Sequence, residues 1–259
     1  MSPGHGDGSA GDADYGAIGK DYANYRRPEP RIAGLINEAL GTARTVLNVG
    51  AGAGSYEPVD REVTAVEPSA SMRAQRPSHL KTAIDAVAEN LPFPDWHFDA
   101  AMGTFTVHQW SDLKAGLREM RRVTRGPVLV LTCDPLKVQS FWLNDYAPDV
   151  LSTEARRYPP IETIQVGFGT DVDILPVPIP LNCRDGFNEA YYGRPEMLLR
   201  DGARLSCSAW SFVAPEMAAT YVGRLRAELQ DGRWDEKYGH LRTQPEFLGS
   251  LYLVVSRGQ

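Results

Sequence analysis

The chain has 259 residues, 42% of them hydrophobic and 23% charged, enough for one large globular domain or one domain with an elaborated insertion. Its net charge of -6 argues against a nucleic-acid surface, because neutralising phosphates needs clustered Lys and Arg. No apolar window of about 18 residues predicts a membrane span, no basic-then-apolar leader predicts secretion, and Cys133, Cys183 and Cys207 form no metal-type or redox-type pair. A cytoplasmic protein with ordinary thiols and no metal is expected.

Residues 1–14 are rich in Gly, Ser and Asp and read as a tail, with structure expected from near Tyr15. From Pro28 onward, Ile32, Leu35, Ile36 and Leu40 stand at helical spacing, and Gly41 ends the pattern. Strands and helices then alternate. "TVLNVG" reads as a buried strand, "EVTAVEP" as a second, "KTAIDAV" as a weaker third, "FDAAMGTF" as a fourth and "GPVLVLTCD" as a fifth. "SDLKAGLREMRRV", residues 111–123, predicts a helix capped by Ser111. "FWLNDYAPDVL" and "PPIETIQVGFG" read as short helices, "TDVDILPVPIP" as a sixth strand and "LGSLYLVVSR" as a seventh. Continuous apolar strands separated by helices predict a mostly parallel α/β sheet covered on both faces. Residues 182–245, between the last two strands, are too long for a hairpin and predict a helical cap. The sheet domain is then 15–181 with 246–259.

Three glycines, Gly50, Gly52 and Gly54, follow the first strand, and Glu67 ends the second. Such a loop lets a ligand approach the backbone, and a carboxylate at the next strand end can accept from both hydroxyls of a ribose. The spacing G-x-G-x-G differs from the dinucleotide fingerprint G-x-G-x-x-G.

With "VLNVGAGAGSYE", "VTAVEPSASM", "AVAENLPFPDWHFDAAM" and "HQWSDLKAGLREMRRVTRGPVLVL" in this order over residues 45–131, the chain resembles class I S-adenosylmethionine-dependent methyltransferases. More narrowly, it is similar to the type 11 branch, which includes ubiquinone and menaquinone methyltransferases. The resemblance implies a Rossmann-like, seven-stranded sheet with an antiparallel last strand. It implies S-adenosylmethionine as cofactor and S-adenosylhomocysteine as product. It assigns Gly50, Ala51 and Gly52 to the methionine part, Glu67 to the ribose, and Pro68 and Met72 to the adenine. Val87 and Ala88 flank the adenine's other edge, and Gly103 and Thr104 lie near the amino group and sulfonium. Two positions depart from the family: Val87 stands where an acidic residue is common, and Asn48 where Asp is common. The segment "DYANYRRPEP" resembles a lid, with Tyr22, Tyr25 and Arg26 over the cofactor and Arg26 meeting its carboxylate.

A methyl acceptor that must lose a proton needs a base, and His108, just past the fourth strand, is the candidate. Trp110 is expected in the pocket wall, and Phe187 and Tyr191 of the cap in an acceptor pocket. Nearby Asp185, Arg184, Glu189 and Arg194 read as salt bridges or caps rather than substrate contacts. The expected function is methyl transfer to a small molecule, in bacterial secondary metabolism or a related pathway. The alternatives are a changed chemistry on the same fold, such as a cyclase, and a non-catalytic accessory subunit.

Overall fold

The computed structural model describes residues 22–169 and 171–258. The expected tail and the expected start near Tyr15 lie outside the described residues. Four apolar runs form strands β1 (Thr45–Val49), β2 (Glu62–Val66), β3 (Ala100–Thr104) and β4 (Val128–Cys133), paired in parallel in the order β2-β1-β3-β4. Strand β5 (Val172–Pro176) lies at the far edge. A short ribbon of β6 (Ile179–Pro180) and β7 (Glu246–Phe247) stands apart from the main sheet. Strand β8 (Leu251–Ser256) inserts between β4 and β5, antiparallel to both. The result is the expected mostly parallel, Rossmann-like sheet with an antiparallel last strand.

The sheet has six strands rather than seven. The expected third strand, residues 81–87, contributes one parallel bridge, Val66 to Ile84. Its backbone bonds are Ile84 N–H to Ala65 O at 2.8 Å and Glu67 N–H to Ile84 O at 3.0 Å. The segment has too little apolar surface to bury. Ile84 stays exposed, while Lys81 and Asp85 pair with Glu62 and Arg73 at the surface.

Helix Pro30–Leu40 begins with Pro at its first position, buries Ile32, Ile36 and Leu40, and stops at Gly41, whose φ of 58° suits glycine. Helix Leu113–Arg122 buries Leu117 and Met120. Its cap is Asp112, which accepts from Ala115 N–H, and not Ser111. Glu89 decides between these neighbours, because it takes both the Ser111 hydroxyl and the Asp112 N–H. Helices Pro148–Arg157 and Ile161–Phe168 follow β4.

Between β6 and β7 the chain forms 3-10 turns and the helices Asp201–Leu205, Pro215–Gln230 and Arg233–Tyr238. Their large side chains share one core with the sheet: Tyr192, Trp210 and Trp234 belong to the same cluster as Ile32, Leu129 and Leu253. The parallel strands place Gly50, Glu67 and Phe105, each just past a strand end, on one edge of the sheet. No helix among the described residues is long and apolar enough to cross a membrane.

Candidate functional site

A cleft opens at that carboxyl edge. One wall is the loop after β1, with Glu67, Pro68 and Met72 from the end of β2 and the helix that follows. The other comprises Glu154, Arg157 and Tyr158 around the end of helix Pro148–Arg157, with Phe187, Asn188 and residues 206–209 of the segment between β6 and β7. Between them stand Thr104, Phe105, His108 and Trp110, from the exit of β3.

The loop is shaped by contacts that only glycine permits. Gly50 has φ 65°, and a Cβ there would lie 1.9 Å from Thr106 Oγ1. That oxygen also accepts from Trp110 Nε1 at 3.2 Å, so the β3 exit and the loop lock together. Gly52 has φ 51° and donates its N–H to Glu67 Oε2 at 2.8 Å, while Ser69 N–H donates to Oε1 at 2.8 Å. Glu67 is 7% exposed. Burial lifts its pKa above the ordinary carboxylate value against the pull of these two amides. Each carboxylate oxygen accepts one amide here and has a second lone pair left. The pair of acceptor oxygens therefore fits a ribose diol, and the residues fit an S-adenosylmethionine site.

Beneath the loop, Asn48 is fully buried and donates Nδ2 to Glu57 Oε1 at 3.1 Å. Arg76 grips both Glu57 oxygens at 2.9 and 3.0 Å, with each partner's side chain 3% exposed. The departure from Asp at position 48 thus has a local cause: Glu57 requires a donor there, and an aspartate would face it with like charge. Tyr56 carries a positive φ of 63° and donates its hydroxyl to Asp185 Oδ2 at 2.9 Å. Arg26 donates Nε to Asp185 Oδ1 at 2.6 Å. Arg26, the glycine loop and the late segment meet at this one buried carboxylate.

Of the expected site residues, the cleft is lined by Arg26, Gly50, Ala51, Gly52, Glu67, Pro68, Met72, Ala88, Thr104, His108, Trp110 and Phe187. Three do not line it. Val87 turns outward and is 36% exposed. Gly103 lies inside β3, where an added Cβ would press on Thr106 Cγ2 at 3.1 Å, so its smallness serves packing. Tyr191 is a core residue whose ring carries the Arg194 guanidinium at 5.6 Å. Asp185 forms the expected salt bridge, with Arg26, whereas Glu189 forms none among the described residues and is instead a buried carboxyl that accepts from Ser250 N–H and Oγ.

The sequence reading missed Glu154, Arg157, Tyr158, Asn188, Ser206 and Ser208. Two were detectable: Glu154 and Arg157 are spaced i, i+3 and so share one helix face, with Tyr158 just past the helix end. Cys207 also lines the cleft, but its thiol faces the carbonyls of Gly186 and Ala203, and burial pushes its pKa up, which makes it inert.

The His108 ring lies 4.6 Å from that of Tyr158, and its Nδ1 is sealed without a hydrogen-bond partner among the described residues. Burial, then Arg157 and Arg26, hold its pKa well below the ordinary value. The imidazole is therefore neutral near pH 7, and the imidazolium that a base must become is disfavoured.

Comparison with known proteins agrees with this geometry. Residues 47–130 match the family model for a methyltransferase domain of type 11. The chain carries the type 11 domain of class I S-adenosylmethionine-dependent methyltransferases. S-adenosylmethionine is the cofactor this domain implies. A solved structure described as a candidate methyltransferase from an antibiotic biosynthesis pathway of Anabaena variabilis superposes with TM-score 0.84 and 28% identity, over 90% of this chain and 99% of that one. The malonyl-[acyl-carrier protein] O-methyltransferase of Pseudescherichia vulneris is 31% identical over 121 residues, 44% of this chain and 48% of that protein. The YcgJ structure from Bacillus subtilis shares the fold, with TM-score 0.50 and 18% identity over 88% of this chain and 97% of that one. This chain spans 48% or less of the length of the curated relatives it matches.

Proposed function

We propose that this protein transfers a methyl group from S-adenosylmethionine to a small-molecule acceptor. The observation that carries the reading is one continuous cleft, which joins the Gly50–Glu67 wall to a second wall able to hold another molecule. The cofactor supplies a methyl group already activated on a sulfonium, so positioning and water exclusion account for much of the rate. In this reading Glu67 accepts the ribose hydroxyls, and Met72, Pro68 and Ala88 contact the adenine. Arg26, held by Asp185, closes the site over the methionine part. Residues 182–245 act as an acceptor cap, with Phe187 and Trp110 as apolar walls. His108 serves as a neutral hydrogen-bonding or wall residue more readily than as a base. The Anabaena relative supports a place in secondary metabolism.

Calorimetry with S-adenosylmethionine and S-adenosylhomocysteine tests the reading. Micromolar-range binding of both is expected, and no binding of either at millimolar concentration would refute it. Binding without release of S-adenosylhomocysteine in the presence of any hydroxylated acceptor would instead favour a changed chemistry or an accessory role.

A further inference from the structure

We propose that Glu154 recognises an O–H donor on the acceptor, so that the substrate class is a neutral hydroxylated molecule with an apolar body rather than a free carboxylate. The inference rests on the methyl-transfer reading of the cleft and deepens it. Glu154 lines the acceptor wall, and its two oxygens differ. Trp210 Nε1 donates to Asn188 Oδ1 at 3.1 Å, which fixes the amide so that Nδ2 donates to Glu154 Oε2 at 2.6 Å. Asn188 and Trp210 are both buried, so this relay is built into the core. Glu154 Oε1 has no hydrogen-bond partner among the described residues, yet it is absent from the polar atoms sealed without one. A carboxylate oxygen open to a cleft with unfilled acceptor capacity asks for a donor.

The surrounding wall narrows the class. Phe105, Trp110, Tyr158 and Phe187 give the acceptor's body an apolar, ring-shaped environment. Arg26 is paired with Asp185, and Arg157 donates to Ser208 Oγ at 2.8 Å while its charge also acts on Glu154. An acceptor carboxylate would set a second negative charge beside Glu154 away from bulk water. Burial raises the Glu154 pKa, opposed by Asn188, Arg157 and Arg26.

The test uses three ring-sized probes, phenol, toluene and benzoate, titrated by ligand-observed NMR into the full chain saturated with S-adenosylhomocysteine. Glu154→Leu should weaken phenol binding about tenfold or more, the equivalent of one hydrogen bond to a charged group, and leave toluene unchanged. Glu154→Gln, which removes the charge but keeps the shape, should strengthen benzoate. Melting temperature and S-adenosylhomocysteine affinity are measured on both variants, and either one that folds carries the test. Equal responses of phenol and toluene, benzoate binding the wild type more tightly than phenol, or no phenol binding at all would overturn the inference. These results with cofactor binding intact refute only the Glu154 assignment. Loss of cofactor binding in the wild type refutes the methyltransferase reading itself.

Discussion

Replacing Glu67 by Ala removes the side chain that ties the loop after β1 to the segment after β2 through two amides, Gly52 N–H and Ser69 N–H, each at 2.8 Å. A buried donor left without a partner costs about 1–3 kcal/mol, so the loop loses about 2–6 kcal/mol of support before any cofactor is added. For a chain of this size that corresponds to a fall in Tm of roughly 5–20 °C. The cofactor loses its ribose contacts as well, and affinity for S-adenosylhomocysteine should drop at least about tenfold. Glu67→Gln separates the two effects. Glutamine has one acceptor oxygen and one NH2 group, so it keeps one amide bond and sets N–H against N–H at the other. Both its Tm and its affinity should fall between wild type and Glu67→Ala. Differential scanning fluorimetry and calorimetry read the two quantities. A wild-type Tm in Glu67→Ala would show that the amides are not held by this carboxylate, and an unchanged affinity would place the ribose elsewhere.

Asn48→Asp, which restores the residue common in the family, should destabilise this chain by about 2–4 kcal/mol at pH 7.5, because the new carboxylate faces Glu57 in the core. The loss should shrink at pH 5, as the raised pKa of the new Asp lets it protonate and donate; urea unfolding that finds equal stability at both pH values would contradict this. Glu189 is buried with its pKa pushed up to about 8, so the folded state holds a proton that the unfolded state releases near the ordinary carboxylate value. Stability from this group is therefore fully present below about pH 4.5 and is lost as pH rises toward 8, with a slope of up to about 1.4 kcal/mol per pH unit. Glu189→Gln should flatten the fall in Tm between pH 5.5 and 8, and a parallel fall in the two proteins would refute the assignment.

The parallel strands were legible because a run such as "VLVLTC", buried at every position, is apolar whatever surrounds it. The helix ending at Gly41 was legible for a similar reason: a positive φ and a proline start are written in adjacent residues. Residues 81–87 were misread because a weakly apolar segment becomes a strand only when a partner and a covering layer accept it. At the β2 edge the side chains find ion pairs instead. The cap of helix Leu113–Arg122 could not be read from two adjacent capping residues, since Glu89, more than twenty positions away, chooses between them.

The site divides along the same line. Gly50, Gly52 and Glu67 sit at strand ends within a short stretch of chain, so strand alternation alone was enough to bring them together. Glu154 with Asn188, and Arg26 with Asp185, are joined across 34 and 159 positions. Nothing in the local pattern of either partner names the other. A charged side chain looks the same in sequence whether solvent or a cleft will surround it. Only the packing of the late helical segment matched Arg26 to Asp185 and seated Asn188 against Glu154.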